Sequence, residues 1–253
     1  MSTIMISTRN QSTLILTIAG RLQELSPDML ENALQSLRNA ERDEAIRSVI
    51  LCGSGRDFCR GRKTARSSTQ MLETASAEMQ ALAMLVQTLR AYPKPVVAAI
   101  EGAAQDAGFA LALACDVLIA GQSAQFSCNA MRLGLTPDGG LSWLLMQALP
   151  RPLVLELLLE SKPVLAARLQ QLGVVNQVVE DGKAQQAALR HCQKLAELPP
   201  FALEHLKGLV NEAHGSLTAQ FAAEQQAHLA CLHHHEAAEG LAAFLANRKP
   251  RFK

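Results

Sequence analysis

Lys94-Pro95-Val96-Val97-Ala98-Ala99-Ile100-Glu101-Gly102 is the stretch from which the fold is read. Pro95 to Ile100 is short, continuous and apolar, which predicts a strand buried on both faces. Gly102 opens a turn of small residues, Ala103-Ala104-Gln105-Asp106. Ala107 to Ala114 is apolar on every side and predicts a buried helix. Asp116 to Ala120 then predicts a second strand. A strand, a tight turn, a helix and a strand within 26 residues are the parts of an α/β unit with parallel strands.

The pattern continues on both sides. Upstream, Thr13 to Ala19 is β-branched and apolar, and predicts a strand. Ser26-Pro27-Asp28 supplies an N-cap, a proline at the first helical position and an acid in the first turn, so a helix should run to about Ala40. Ser48 to Leu51 predicts a buried strand, followed by a loop with glycines at 53, 55 and 61. Thr69 to Tyr92 predicts a long helix that ends before Pro93. Downstream, Leu141 to Gln147, Leu153 to Leu159 and Val164 to Leu172 predict helices, with Gly173 as a C-cap. Val174 to Val179 predicts the last strand, and helices fill the chain from about Lys183 to Leu245. The expected division is a strand–helix core over 1–195 and a helical region over 196–253.

Composition excludes several classes of function. The chain has 253 residues, 49% apolar and 19% charged, with a formal net charge of +1. Such a balance provides no bulk field for nucleic acid or an anionic membrane surface. No stretch nears the roughly 20 apolar residues of a membrane-spanning helix, and the N-terminus lacks the pattern of a secretory signal. The six cysteines are scattered with no C-x-x-C pair, so they read as free thiols of a cytoplasmic protein rather than zinc ligands.

Two loop-to-helix junctions could carry chemistry. One is Asp57-Phe58-Cys59-Arg60-Gly61-Arg62-Lys63 and the other is Glu101-Gly102-Ala103-Ala104-Gln105-Asp106-Ala107-Gly108. Small residues allow close backbone approach, and a helix start presents unpaired N–H groups. Two such amides converging on one point make an oxyanion hole for an enolate. Tight turns packed on glycine are the alternative reading of the same residues.

These segments resemble the enoyl-CoA hydratase/isomerase (crotonase) family. The resemblance rests on Phe58-Cys59-x-Gly61, on Lys94 to Gly102, on Ala107-Gly108, and on Leu111-Ala112-Leu113-Ala114-Cys115-Asp116. Ala124-Gln125-Phe126, Leu133-Gly134-Leu135-x-Pro137, Glu239-Gly240-x-Ala242-Ala243-Phe244-Leu245 and Lys249-Pro250 extend it over nearly the whole chain. It implies a crotonase-like spiral of β-β-α units with a C-terminal helical region that builds homotrimers or hexamers. It implies an acyl-CoA thioester as substrate, with no metal and no cofactor beyond the coenzyme A of the substrate itself. The oxyanion hole would come from the amides of Arg62 and Ala107, flanked by Gly61 and Gly108.

The two glutamates with which hydratases of this family add water fall at Ala110 and Ala130 here. A methyl group can neither position water nor carry a proton. Asp138, in Leu135-Thr136-Pro137-Asp138-Gly139-Gly140, matches an acid of the family's isomerase-like branch, as does the following Ser142-Trp143-Leu144-Leu145. The resemblance therefore implies a double-bond shift in an enoyl- or dienoyl-CoA, with Asp138 as the proton-transfer group and either the same acid or Asp106 returning the proton at the other carbon. Asp138 could instead cap the helix beginning near Gly139. Two other functions stay open: a dehalogenase or hydrolase with Asp138 as nucleophile, and a non-catalytic acyl-CoA-binding subunit.

Arg60, Arg62 and Lys63 are candidates for the coenzyme A phosphates, with a solvated basic loop as the alternative. Lys249 and Phe252, with Arg251, could offer cations and a ring to the nucleotide. His233-His234-His235 would point in different directions along one helix. Trp143 reads as core, with the wall of an acyl pocket as the alternative.

Overall fold

The computed structural model describes residues 4–20, 23–62, 68–213 and 215–252, with 68–75 described by their backbone alone. Its strands are β1 (Ile4–Asn10), β2 (Thr13–Ala19), β3 (Ser48–Gly53), β4 (Val96–Ile100), β5 (Ala103–Gln105), β6 (Val117–Gly121), β7 (Gln125–Ser127), β8 (Val164–Leu165) and β9 (Gln177–Val179). Its helices are α1 (Pro27–Arg42), α2 (Ser68–Ala91), α3 (Ala107–Leu113), α4 (Leu141–Ala148), α5 (Arg151–Glu160), α6 (Ala166–Gln171), α7 (Ala184–Leu195), α8 (Pro200–Glu212), α9 (Leu217–His233) and α10 (His235–Leu245).

The larger sheet has the order β1-β2-β3-β4-β6-β9. Only β1 and β2 run antiparallel, and the remaining pairs are parallel. Strand alternation divides the core in two. Val96, Ala98 and Ile100 of β4 face the main core with α1, α2 and α3, while Val97 and Ala99 face Ala184, Ala187, Ala188 and Cys192 of α7. Period-two side-chain placement thus buries one apolar run on both faces of the sheet. Ser26 caps α1 as the sequence predicts, its side-chain oxygen accepting from the Met29 amide at 3.3 Å.

The spiral is visible in how each sheet strand continues. After β4 the chain turns at Glu101-Gly102 into β5 and then α3, and after β6 it turns into β7. The short strands β5, β7 and β8 form a second sheet, and isolated bridges pair Cys59 with Ala104 of β5 and Leu25 with Arg62. The fold is therefore the expected α/β arrangement of β-β-α turns. The sequence reading misses β1, β5, β7 and β8, and it takes Val164-Leu165 as helix although they pair with β7.

Helices α8, α9 and α10 form the C-terminal region. Lys207 of α8 ties it to the core, donating to Asp116 Oδ2 at 2.5 Å and to the Lys94 carbonyl at 3.0 Å. The His233–235 run does not lie on one helix: α9 ends at His233, and His234 is extended before α10 begins. The His234 ring stacks on Phe201 with centroids 4.1 Å apart.

Candidate active site

The first junction is built by the Asp57 carboxylate. Its Oδ1 accepts the Ala103 amide at 3.0 Å and its Oδ2 accepts Arg60 Nε at 2.6 Å. The loop is then sewn to β5, with the Phe58 and Cys59 amides both donating to the Ala103 carbonyl and the Gln105 amide donating to the Cys59 carbonyl at 2.9 Å. Gly61 follows with φ +87°, a conformation that a side chain strains. A Cβ there would lie 3.1 Å from the Gln105 carbonyl oxygen and 3.6 Å from the Ala107 nitrogen.

The second junction meets the first at Gly108. A Cβ at 108 would stand 2.3 Å from the Cys59 carbonyl oxygen, so only glycine lets the first turn of α3 rest on the loop. Asp106 precedes that turn at φ 49° and ψ −116°, a region normally left to glycine. Its amide donates to the Ser127 carbonyl at 2.9 Å. Its carboxylate is held at Asn129, beyond the end of β7, where Oδ1 accepts the Asn129 amide at 2.6 Å. Among the described residues, no acceptor takes the N–H of Arg62 or of Ala107. Ala107 begins α3, where first-turn amides lack helical partners.

The third part is the turn Pro137-Asp138-Gly139-Gly140. Gly139 and Gly140 both have positive φ, 62° and 74°. A Cβ at Gly139 would lie 3.1 Å from the Ala110 Cβ and 3.0 Å from Leu82 Cδ2, so the turn rests on α2 and on the face of α3. Asp138 Oδ2 accepts Arg62 Nε at 2.6 Å. Arg62 Nη1 also donates to Glu78 Oε2 on α2 at 3.3 Å. The two carboxylates and the guanidinium are largely enclosed, with side-chain exposures of 13% for Asp138, 24% for Glu78 and 22% for Arg62. Asp138 does not cap α4 with its side chain: the helix starts at Leu141, Gly140 is the N-cap, and no side-chain cap bond is made.

Two backbone junctions that meet at Gly108, a carboxylate bonded to Arg62 and a spiral of β-β-α turns make up the site. The family model for enoyl-CoA hydratase/isomerase matches residues 9–253. The chain belongs to the enoyl-CoA hydratase/isomerase family.

Within that family it is similar to the 1,2-epoxyphenylacetyl-CoA isomerase of Escherichia coli K12, 33% identical over 247 residues that cover 95% of this chain and 94% of the relative. The 2,3-dehydroadipyl-CoA hydratase of the same organism is 30% identical, covering 100% and 99%. Among solved structures, an enoyl-CoA hydratase from Polaromonas sp. JS666 superposes with a TM-score of 0.96 at 39% identity, covering 99% of this chain and 100% of that one.

Set in an enoyl-CoA hydratase/isomerase, the remaining candidates fall in different places. Gly61, Arg62, Ala107, Gly108 and Asp138 lie together. Arg60 is beside them, its Nε engaged by Asp57. Lys63 lies outside the described residues. Lys249 pairs with Glu197 at 2.6 Å, and Phe252 rests near Gly240 in a cavity of about 230 Å³ lined also by Pro199 and Phe201. Neither touches the Arg62–Asp138 pair within this chain.

Ala110 and Ala130, where hydratases of the enoyl-CoA hydratase/isomerase family have glutamates, are both buried methyl groups. Trp143 is not core, contrary to expectation: it is 47% exposed. It lines a cavity of about 460 Å³ with Gly139, Gly140 and Leu144, and the Arg90 guanidinium lies 4.9 Å over its ring.

The thiols beside these junctions are held in their neutral form. Burial pushes Cys59 up to about 12 and Cys128 up to about 11, which leaves both as neutral thiols at physiological pH. Sequence reasoning missed Glu78, which sits in an ordinary helical pattern, and Asn129, whose amide anchors Asp106. No spacing signal marks either residue.

Proposed function

We propose that this enzyme shifts a double bond in an enoyl- or dienoyl-CoA thioester through an enolate. The amides of Arg62 and Ala107 receive the thioester oxygen, strengthening their hydrogen bonds as negative charge grows on it. Asp138 takes the proton from the carbon next to the thioester, or from its vinylogue. The electron pair of the broken C–H bond moves into the enolate. The same carboxyl group then returns the proton at the other carbon, and the displaced π bond completes the isomerisation. No net gain or loss of atoms occurs.

The observation that carries this reading is the position of Asp138. Its turn rests against Ala110, where a hydratase has an acid, and only its Oδ2 is engaged among the described residues. No described residue donates to the other oxygen, which in this reading takes the proton. Asp106 does not fit the role of second acid, because its carboxylate is directed to Asn129. One carboxyl group serving both steps is the simpler mechanism.

Water addition is the reading that the names of most relatives favour. The methyl groups at 110 and 130 oppose it, since neither can activate water. Crotonyl-CoA incubated with the pure protein should therefore keep its conjugated absorbance, while a 3-enoyl-CoA should gain it. Rapid loss of the crotonyl-CoA signal would replace the proposed isomerisation with hydration.

Assembly into homotrimers or hexamers belongs to the same proposal. Helices α8 and α9 contain no buried residue in the single chain, and Phe221, Leu241 and Phe244 are exposed. Such apolar surface is what subunit contacts cover. In an assembly, Lys249 and Phe252 would approach the coenzyme A of a bound ligand, with Arg60 and Lys63 at its phosphates.

A further inference from the structure

We propose that the Arg62 guanidinium is the positioning residue for Asp138, so that Arg62 acts twice: through its amide on the enolate and through its side chain on the carboxylate. This rests on the proposed role of Asp138. The carboxylate sits in a turn whose next two residues are glycines with positive φ, and it makes no side-chain cap to α4. Helix capping therefore does not hold its rotamer. Among the described residues, what holds it is the bond from Arg62 Nε to Oδ2 at 2.6 Å.

The bond is one-pronged, and that matters chemically. A fork of two parallel N–H groups would occupy both carboxylate oxygens. Here Nε engages Oδ2 while Nη1 is spent on Glu78 Oε2 at 3.3 Å. Asp138 is thus aimed, with Oδ1, which no described residue engages, left to accept the proton. Oδ2 remains an acceptor after Oδ1 is protonated, so one geometry serves both halves of the proton shuttle. Glu78 fixes the far side of the guanidinium from α2 and keeps it from swinging onto Oδ1. Because residue 62 also supplies a cradle amide, the distance between enolate oxygen and base is set largely within one residue.

The test is a double-substitution cycle measured as isomerase kcat and KM on the same enoyl-CoA. Arg62→Gln keeps the backbone amide and removes the cation. It should lower kcat by about 10-fold or more, as expected for loss of a group that orients a general base, with KM changed less than about threefold. In the Asp138→Asn background the same change should have little further effect, since residues acting as a unit are not additive. Added methylguanidine should restore part of the kcat of Arg62→Ala and none of that of Asp138→Asn. Glu78→Gln should give a smaller loss of the same kind.

Full activity in Arg62→Gln, or a rise in kcat showing that the guanidinium masks the base, overturns the inference. So does an equal loss in both backgrounds, which would mark a structural role alone. These results are distinct from failure of the underlying reading, which shows as an Asp138→Asn enzyme with undiminished kcat whatever stands at 62.

Discussion

The backbone of Gly139 lies directly against the methyl group of Ala110: a Cβ added at 139 would be 3.1 Å from the Ala110 Cβ. Ala110 is fully buried, so the Asp138 turn closes over the point where hydratases of the family have a glutamate. Restoring that glutamate should fail. Ala110→Glu must place a carboxylate between Leu82 and Gly139 without a built partner, a burial that costs several kcal/mol. Its melting temperature should fall by roughly 5 °C or more, with no gain of crotonyl-CoA hydration. A stable variant that hydrates would show that the turn yields and that this frame still supports water addition.

Asp106 combines a strained backbone with a strong anchor. Its φ of 49° is unfavourable for a side chain, while its Oδ1 accepts the Asn129 amide at 2.6 Å. Asparagine keeps an acceptor oxygen, glycine relieves the strain but loses the anchor, and alanine keeps the strain and loses the anchor. Thermal unfolding should therefore rank Asp106→Ala lowest, with a loss of about 1.5–3 kcal/mol from the lost charged hydrogen bond. Asp106→Asn should keep turnover within about twofold, because the carboxylate is not aimed at the cradle. A collapse of activity in a well-folded Asp106→Asn would make it the second acid.

The buried thiols set an alkaline limit on stability. Burial raises Cys59 from the ordinary 9.0 to about 12, and Cys128 and Cys192 to about 11. In the unfolded chain these groups lose protons near pH 9, while in the folded chain they keep them. Unfolding thus releases protons above that point, and stability present below pH 9 is lost as pH rises toward 11–12. Denaturant midpoints across pH 8–11 should fall accordingly. At pH 8 no more than one thiol per folded chain should react quickly with a disulfide reagent, since only Cys231 is not buried. Rapid reaction of several thiols would contradict this packing.

The helical end supplies a further expectation. Phe244 is 78% exposed and Leu241 61% exposed in the single chain, which is costly unless another surface covers them. Sedimentation should give a species of three chains or a multiple of three. A version ending before Arg248 should lose coenzyme A affinity or assembly. A full-length monomer, or a shortened protein that assembles and binds unchanged, would refute the corresponding part.

Much of this was legible because the relevant signals are local. Strands β2, β3 and β4 are unbroken apolar runs, and Gly61 and Gly108 mark points where backbone must approach backbone. Strand β1 escaped because most of its residues are exposed, so it carries no buried alternation to read. Strands β5, β7 and β8 are two or three residues long and exist through pairing with one another, which no window of sequence reports. At the site, Asp138 was marked by its turn, but its partner was not. Arg62 is 76 residues away, and its link to Glu78 follows from where α2 crosses the loop. For the same reason Asp106 read as a site carboxylate, although tertiary structure points it at Asn129.

The most direct measurement concerns proton transfer by Asp138. An enoyl-CoA is incubated in deuterated water with wild-type enzyme or Asp138→Asn, and mass spectrometry follows deuterium entry at the α and γ carbons. The asparagine keeps the shape of the turn but cannot take a proton. Wild type should exchange, and the variant should exchange slower by about 10²-fold or more, the usual contribution of a general base, while still binding the thioester. Equal exchange in the two proteins would contradict the assignment of Asp138 and with it the proposed mechanism.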